Sequence, residues 1–160
     1  MTIWGALAGG VVGTIVLTSG LRIAQELGWT RMDIPLLLGT AFTDDRSRAS
    51  VIGYVVHFAN GLVFAVGYYA IFRAVGHAGW GFGAALGVVH AAFSGGVLVT
   101  VLLPAVHPRM GTPWSDAEET PLLEPPGFML VNYGRRTALW TVVVHIAYGA
   151  IVGGFAARLG

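Results

Sequence analysis

The sequence predicts an all-α integral membrane protein: a four-helix bundle with a short interfacial helix after the first span and a long proline-rich loop between the third and fourth. Three observations carry that prediction. Of the 160 residues, 55% are hydrophobic and only 11% charged, against roughly 25% charged for an ordinary soluble domain. The mean hydropathy is +0.71. The apolar residues gather into four runs, each reaching the roughly 20 residues that cross about 30 Å of hydrocarbon at about 1.5 Å per residue. At this length the chain, residues 1–160, forms a single transmembrane domain.

The first span is expected over residues 3–24. Its opening, MTIWGALAGG, lacks a basic leader, and its apolar run outlasts a signal sequence, so it reads as a retained helix. RMDIPLLLGTAFT, residues 31–43, is too short to cross. Asp33 can cap a helix there and Pro35 suits its first turn, which predicts an interfacial helix over 34–42. The second span covers 49–72, the third 79–103 and the fourth 137–157.

Residues 104–136 hold six of the seven prolines. A connection of that length usually binds or covers something. Its stretch SDAEETPLLEPPGF carries Asp116, Glu118, Glu119 and Glu124, which reads as an acidic surface loop ahead of a cation site.

The polar residues are asymmetric. All eight acids and seven of the nine arginines precede the second span or lie between the third and fourth, two regions on the same side of the membrane. Only Arg73 and Arg158 mark the other side, and there is no lysine. Trp29, Trp114 and Trp140 fall near the polar boundary, Trp4 and Trp80 near the opposite one, as an aromatic belt requires. By the arginine bias the polar loops are cytoplasmic and both termini outside. Arg22 and Glu26 are set to pair as i and i+4. Arg109, beside His107 in HPRM, and Arg135 and Arg136 are candidates for contact with lipid phosphate or a partner.

Glycines recur four apart at Gly5, Gly9 and Gly13, at Gly83 and Gly87, and at Gly149 and Gly153. Small residues at that spacing let backbones approach in lipid, within the bundle or against other membrane subunits or a second copy. The net charge of +1 makes no case for nucleic acid, and the absence of cysteine excludes disulfides, thiolate metal sites and c-type haem.

The strongest chemical clue is one histidine inside each of three spans, in VVHFANG (55–61), VVHAAFSG (88–95) and VVVHIAYG (142–149). An ionisable side chain in a membrane span is a functional hypothesis by default. Counted from the polar side, His57 and His145 each lie about 12 Å deep and His90 about 20 Å, two turns lower. Asn60, Ser94 and Tyr148 follow the three histidines at helical spacing and can serve as their hydrogen-bond partners.

Several readings share these residues. Neutral histidines can hold helices together by hydrogen bonds. Two level histidines, His57 and His145, suit haem b. Zinc would need a fourth ligand, with Asp33 or Glu26 the weak candidates. Copper could take His57, His90 and His145, near Met32, Met110 and Met129. A proton relay is a further use.

With MDIPLLLGT, VVHFANG, HPRM and EPPGF on the page, the chain resembles a family of small, uncharacterised four-span bacterial membrane proteins. The resemblance covers most of the chain and implies architecture and a place in the bacterial cytoplasmic membrane, with no catalytic residue. The histidines are too few for the paired arrangement of the four-helix cytochromes that hold two haems. No enzyme signature occurs. The leading expectation is a non-catalytic accessory or scaffold subunit of a larger membrane complex. Haem b or metal binding through the histidines comes second, and a small transporter or proton pathway third, in which Asp33-Ile-Pro would mark a half-helix.

Overall fold

A computed structural model of the chain describes residues 1–111 and 123–158. Asp116, Glu118, Glu119 and Trp114 lie outside the described residues. Every named element is helical. They are α1 (Ile3–Glu26), α2 (Ile34–Gly39), α3 (Arg46–Val75), and α4 (Trp80–Phe93), which continues through a π-helical stretch (Ser94–Leu102) into α5 (Leu103–Val106). A 3-10 segment (Phe128–Tyr133) then leads to α6 (Thr137–Arg158). Among the described residues four helices are long and apolar enough to cross a membrane: α1, α3, the continuous third span Trp80–Val106, and α6.

The boundaries follow from caps. α3 starts three residues before the expected 49 because the Asp45 carboxylate accepts from the Arg48 N–H at 2.7 Å. It ends at Gly76, whose φ of 74° is the left-handed cap that glycine adopts at little cost. α2 is capped by Asp33, as its sequence implies. It stops at Gly39 rather than 42, where the Thr40 hydroxyl turns back to the Leu36 and Leu37 carbonyls.

α6 lies between α1 and α4, and α1 leads on to α3. The contact between α4 and α6 is backbone against backbone. A β-carbon on Gly149 would fall 3.0 Å from Cα of Gly87 and against the Gly83 carbonyl. One on Gly83 would fall 3.1 Å from Cα of Gly153. On the other side of α6, a β-carbon on Gly9 would meet Cα of Val152 at 2.8 Å. The spaced glycines of the sequence are therefore turned inward, to neighbouring helices of the same chain. α2 is held in the same way, its Gly39 against the Ala49 carbonyl and its Pro35 carbonyl against Gly53 of α3.

The third span and α3 are different. Their backbones stay apart, and they meet through rings, Phe64 with His90 and Phe72 with Phe82.

At the polar end the connections interlock. The Arg31 N–H donates to the Tyr133 carbonyl at 2.7 Å, and the Thr30 and Thr137 hydroxyls are bonded at 2.8 Å. Trp140 Nε1–H donates to the Gly20 carbonyl at 2.7 Å, and its ring meets Trp29 edge-on. Arg31 pairs with Glu124 at 3.1 Å, and the Tyr133 hydroxyl donates to the Glu124 carbonyl at 2.8 Å. Burial and the nearby Glu124 carboxylate, against the opposing pull of Arg31, push the Tyr133 phenol up to about 12. The outward helix faces, by contrast, are apolar and bare: Trp4, Val55, Val63 and Val89 are all at least 64% exposed.

The backbone contact yields a paired prediction. Gly149→Val should destabilise the bundle by more than the roughly 1–3 kcal/mol typical of overpacking, because the Gly83 carbonyl and Gly87 Cα that crowd it are main chain. Gly67→Ala, with open space around its Cα, should be neutral or stabilising by up to about 1 kcal/mol. Thermal unfolding of both variants in detergent checks this, and similar losses in the two would refute it.

Candidate functional site

Where the third span stands off from α3, the bundle holds a partly open cavity of about 140 Å³. α1 supplies Thr14 and Leu17, α3 supplies His57 and Phe64, and α6 supplies Thr141, His145 and Tyr148. The third span contributes His90 and the π-helical wall of Ser94, Gly95 and Leu98. Met32, Leu38 of α2 and Leu130 of the 3-10 segment close the polar end. All three span histidines, with Asn60, Ser94 and Tyr148, thus face one space, and among the described residues no charged side chain lines it.

The depths expected for the histidines change in one respect. His90 is not two turns below His145. Their rings touch edge-on, with centroids 4.6 Å apart. The π-helical stretch accounts for part of the shift, because i→i+5 bonding packs more residues into each unit of axial length than the α-helix assumed in the count. His90 is further fixed by Phe64, its ring tilted 35° with centroids 3.9 Å apart, and by the edges of Tyr68 and Tyr148. Its Nδ1 lies 3.4 Å from the Tyr68 hydroxyl.

Partners set the tautomers of two histidines. His145 Nδ1 lies 2.7 Å from the Thr141 carbonyl, which only accepts, so Nδ1 carries the proton and Nε2 keeps its lone pair. His107, outside the cavity, is the reverse. Its Nδ1 accepts from the Arg109 N–H at 3.1 Å, and Nε2–H donates to the Leu37 carbonyl at 3.0 Å.

Among the described residues two buried polar atoms at the cavity have no protein partner: His57 Nε2 and Thr141 Oγ1. A buried polar group without a partner costs about 1–3 kcal/mol. Thr141 is the more telling. Other helical hydroxyls bond back to the carbonyl four residues earlier, Thr14 to Gly10 at 2.7 Å, Thr18 to Thr14 at 2.6 Å and Ser50 to Arg46 at 3.0 Å. Thr141, 4% exposed, makes no such bond.

Sequence reasoning missed Thr141 and Leu130. Thr141 sits four residues before His145, and that helical spacing was the available signal. Leu130 carried none. It reaches the cavity through left-handed backbone at Met129 and Leu130, φ 51° and 66°, which neither residue type favours.

The remaining candidates lie elsewhere. Glu26 pairs with Arg22 at 3.1 Å on the surface, and Asp33 is occupied in capping α2; neither lines the cavity. Of the three methionines, Met32 alone lines it, while Met110 is buried in the loop and Met129 lies beside Gly96. Among the described residues, no three His, Asp or Glu side chains converge as a group able to hold a metal ion. Arg109 donates to the Thr40 carbonyl at 2.5 Å, inside the protein. Arg135 is exposed, and Arg136 lies over the Trp29 ring at 5.6 Å. No family model, curated protein or solved structure matches the chain.

The geometry separates two conservative substitutions. Thr141→Val removes a hydroxyl without a partner and should change stability by less than about 0.5 kcal/mol, or raise it. Tyr148→Phe removes a hydroxyl that donates to the Gly61 carbonyl at 2.5 Å and should cost about 1 kcal/mol. Unfolding midpoints decide it, and a larger loss in Thr141→Val would show that the hydroxyl has a structural partner.

Proposed function

We propose that this chain is a multi-pass membrane protein that binds a small ligand inside its helix bundle, with the polar end on the cytoplasmic side. The apolar outward faces support the membrane placement, since bare apolar area of that extent needs lipid around it, and the arginine-rich end supports the orientation. The observation that carries the ligand is the pair of partnerless polar atoms, His57 Nε2 and Thr141 Oγ1, at one cavity. Buried polar groups without protein partners call for a bound molecule to satisfy them. The apolar walls and few convergent polar groups have the character of a small-molecule site. The volume is that of a single ring: an engineered apolar cavity of about 150 Å³ accepts benzene. A haem needs several times that space, so a haem between His57 and His145 would require the helices to part.

A second reading, an accessory subunit within a larger complex, draws on Gly67 and Gly81, which are exposed with open space around them. Their outward faces would let a foreign helix approach closely. A particle mass in native membrane extracts equal to the chain alone would count against it.

Gly95 gives the test of the ligand reading. It is buried at the cavity wall, and a β-carbon there meets nothing nearer than Leu130 Cδ1 at 3.6 Å. Gly95→Leu should therefore fold and fill the space. Native mass spectrometry of protein extracted gently from its own membrane should show a small-molecule adduct that this variant loses. An adduct retained by Gly95→Leu, or no adduct on the parent protein, would sink the reading.

A further inference from the structure

We infer that the cavity takes the ring of a membrane-soluble quinone, its two carbonyl oxygens accepting from His57 Nε2–H and from the Thr141 hydroxyl. This rests on the ligand reading above and names its chemical class. Four observations converge on it.

The first is size, since about 140 Å³ holds one six-membered ring and little more. The second is charge. Among the described residues no Asp, Glu, Lys or Arg lines the cavity, so a charged ligand there would be buried without a counter-charge, at a cost of roughly several kcal/mol. The occupant is neutral.

The third is hydrogen bonding. The two partnerless atoms come from different walls, His57 from α3 and Thr141 from α6. A hydrocarbon ring would leave both unsatisfied, and a ring with a single acceptor at one wall would satisfy one. A quinone presents an acceptor on each side. Thr141 is free to donate because its hydroxyl is not turned back to the helix, and the carbonyl of the same residue is already occupied by His145 Nδ1–H. Phe64 and Tyr148 supply aromatic walls for the ring face.

The fourth is access. The cavity lies at the seam where α3 and the third span keep their backbones apart, and Asn60, one of its lining residues, is exposed. The surface flanking that seam is apolar, with Val63 and Val97 exposed on its two sides. A ligand entering there comes from the lipid, and its hydrocarbon tail can remain outside. A membrane-soluble quinone has that form, a polar ring on an apolar tail.

The experiment is isothermal titration of the whole chain in lipid nanodiscs, with empty nanodiscs as the blank. One probe is a short-tailed benzoquinone and the other is toluene, a ring of similar size without carbonyls. The quinone should bind saturably at one site and more tightly than toluene. Thr141→Val and His57→Leu should each weaken the quinone about tenfold, the effect of one lost hydrogen bond at the upper end of its usual range. Toluene binding should hold or tighten in both variants. If toluene binds and the quinone binds no tighter, or if both variants keep full quinone affinity, the quinone assignment is overturned and the cavity reading survives. If neither probe binds, both are overturned.

Discussion

Main-chain contact between α4 and α6 is the constraint on which the rest of this structure depends. Gly83, Gly87, Gly149 and Gly153 let the two helices touch along their backbones, and no residue with a β-carbon fits at those points. In a bilayer this is the main source of helix cohesion, because the lipid removes any hydrophobic gain from burying one apolar face against another. The consequence reaches the histidines. Drawing α4 onto α6 brings the His90 and His145 rings into edge contact. α1 closes on the other side of α6 through Gly9 and Gly13. Three spans therefore form a tight unit, and α3 completes the bundle at a distance from the third span.

The cavity follows from that inequality. Between α3 and the third span the contact is made by bulky rings, Phe64, Tyr68 and Phe72 from one side and Phe82 and His90 from the other. Rings hold backbones apart where glycines would let them touch, and space remains above the Phe64–His90 contact. The π-helical stretch widens the wall there, a feature that often marks functional positions in helices. Its Gly95 leaves the space unfilled. The polar end is closed by α2, which is anchored to α3 by its own close backbone contacts, and by Leu130.

The polar residues divide by what they satisfy. At the polar end Arg22 pairs with Glu26 and Arg31 with Glu124, Arg109 donates to the Thr40 carbonyl, and Arg136 lies over Trp29. Exposed pairs of this kind contribute little to stability, about 0–1 kcal/mol, and here they tie loops together around the mouth of the bundle. Within the bundle, the buried side-chain atoms without a partner among the described residues are His57 Nε2 and Thr141 Oγ1.

Sequence alone determined the four long apolar helices and the capped short helix at Asp33, and it singled out one histidine in each of three spans without showing that they share a space. Those features depend on composition and on spacing along single helices, which a sequence carries directly. It also pointed to glycine-mediated packing, without saying whether the faces met this chain or another. Tertiary structure alone decided that Gly149 faces Gly83, that His90 rises to meet His145, and that Arg109 turns to the Thr40 carbonyl. It alone decided that Thr141 lacks a partner while Thr14 and Thr18 have theirs. Each of these depends on how helices rotate and slide against one another. That is set by the fit of whole surfaces and by a local change from α to π winding, neither of which leaves a periodic mark in the chain.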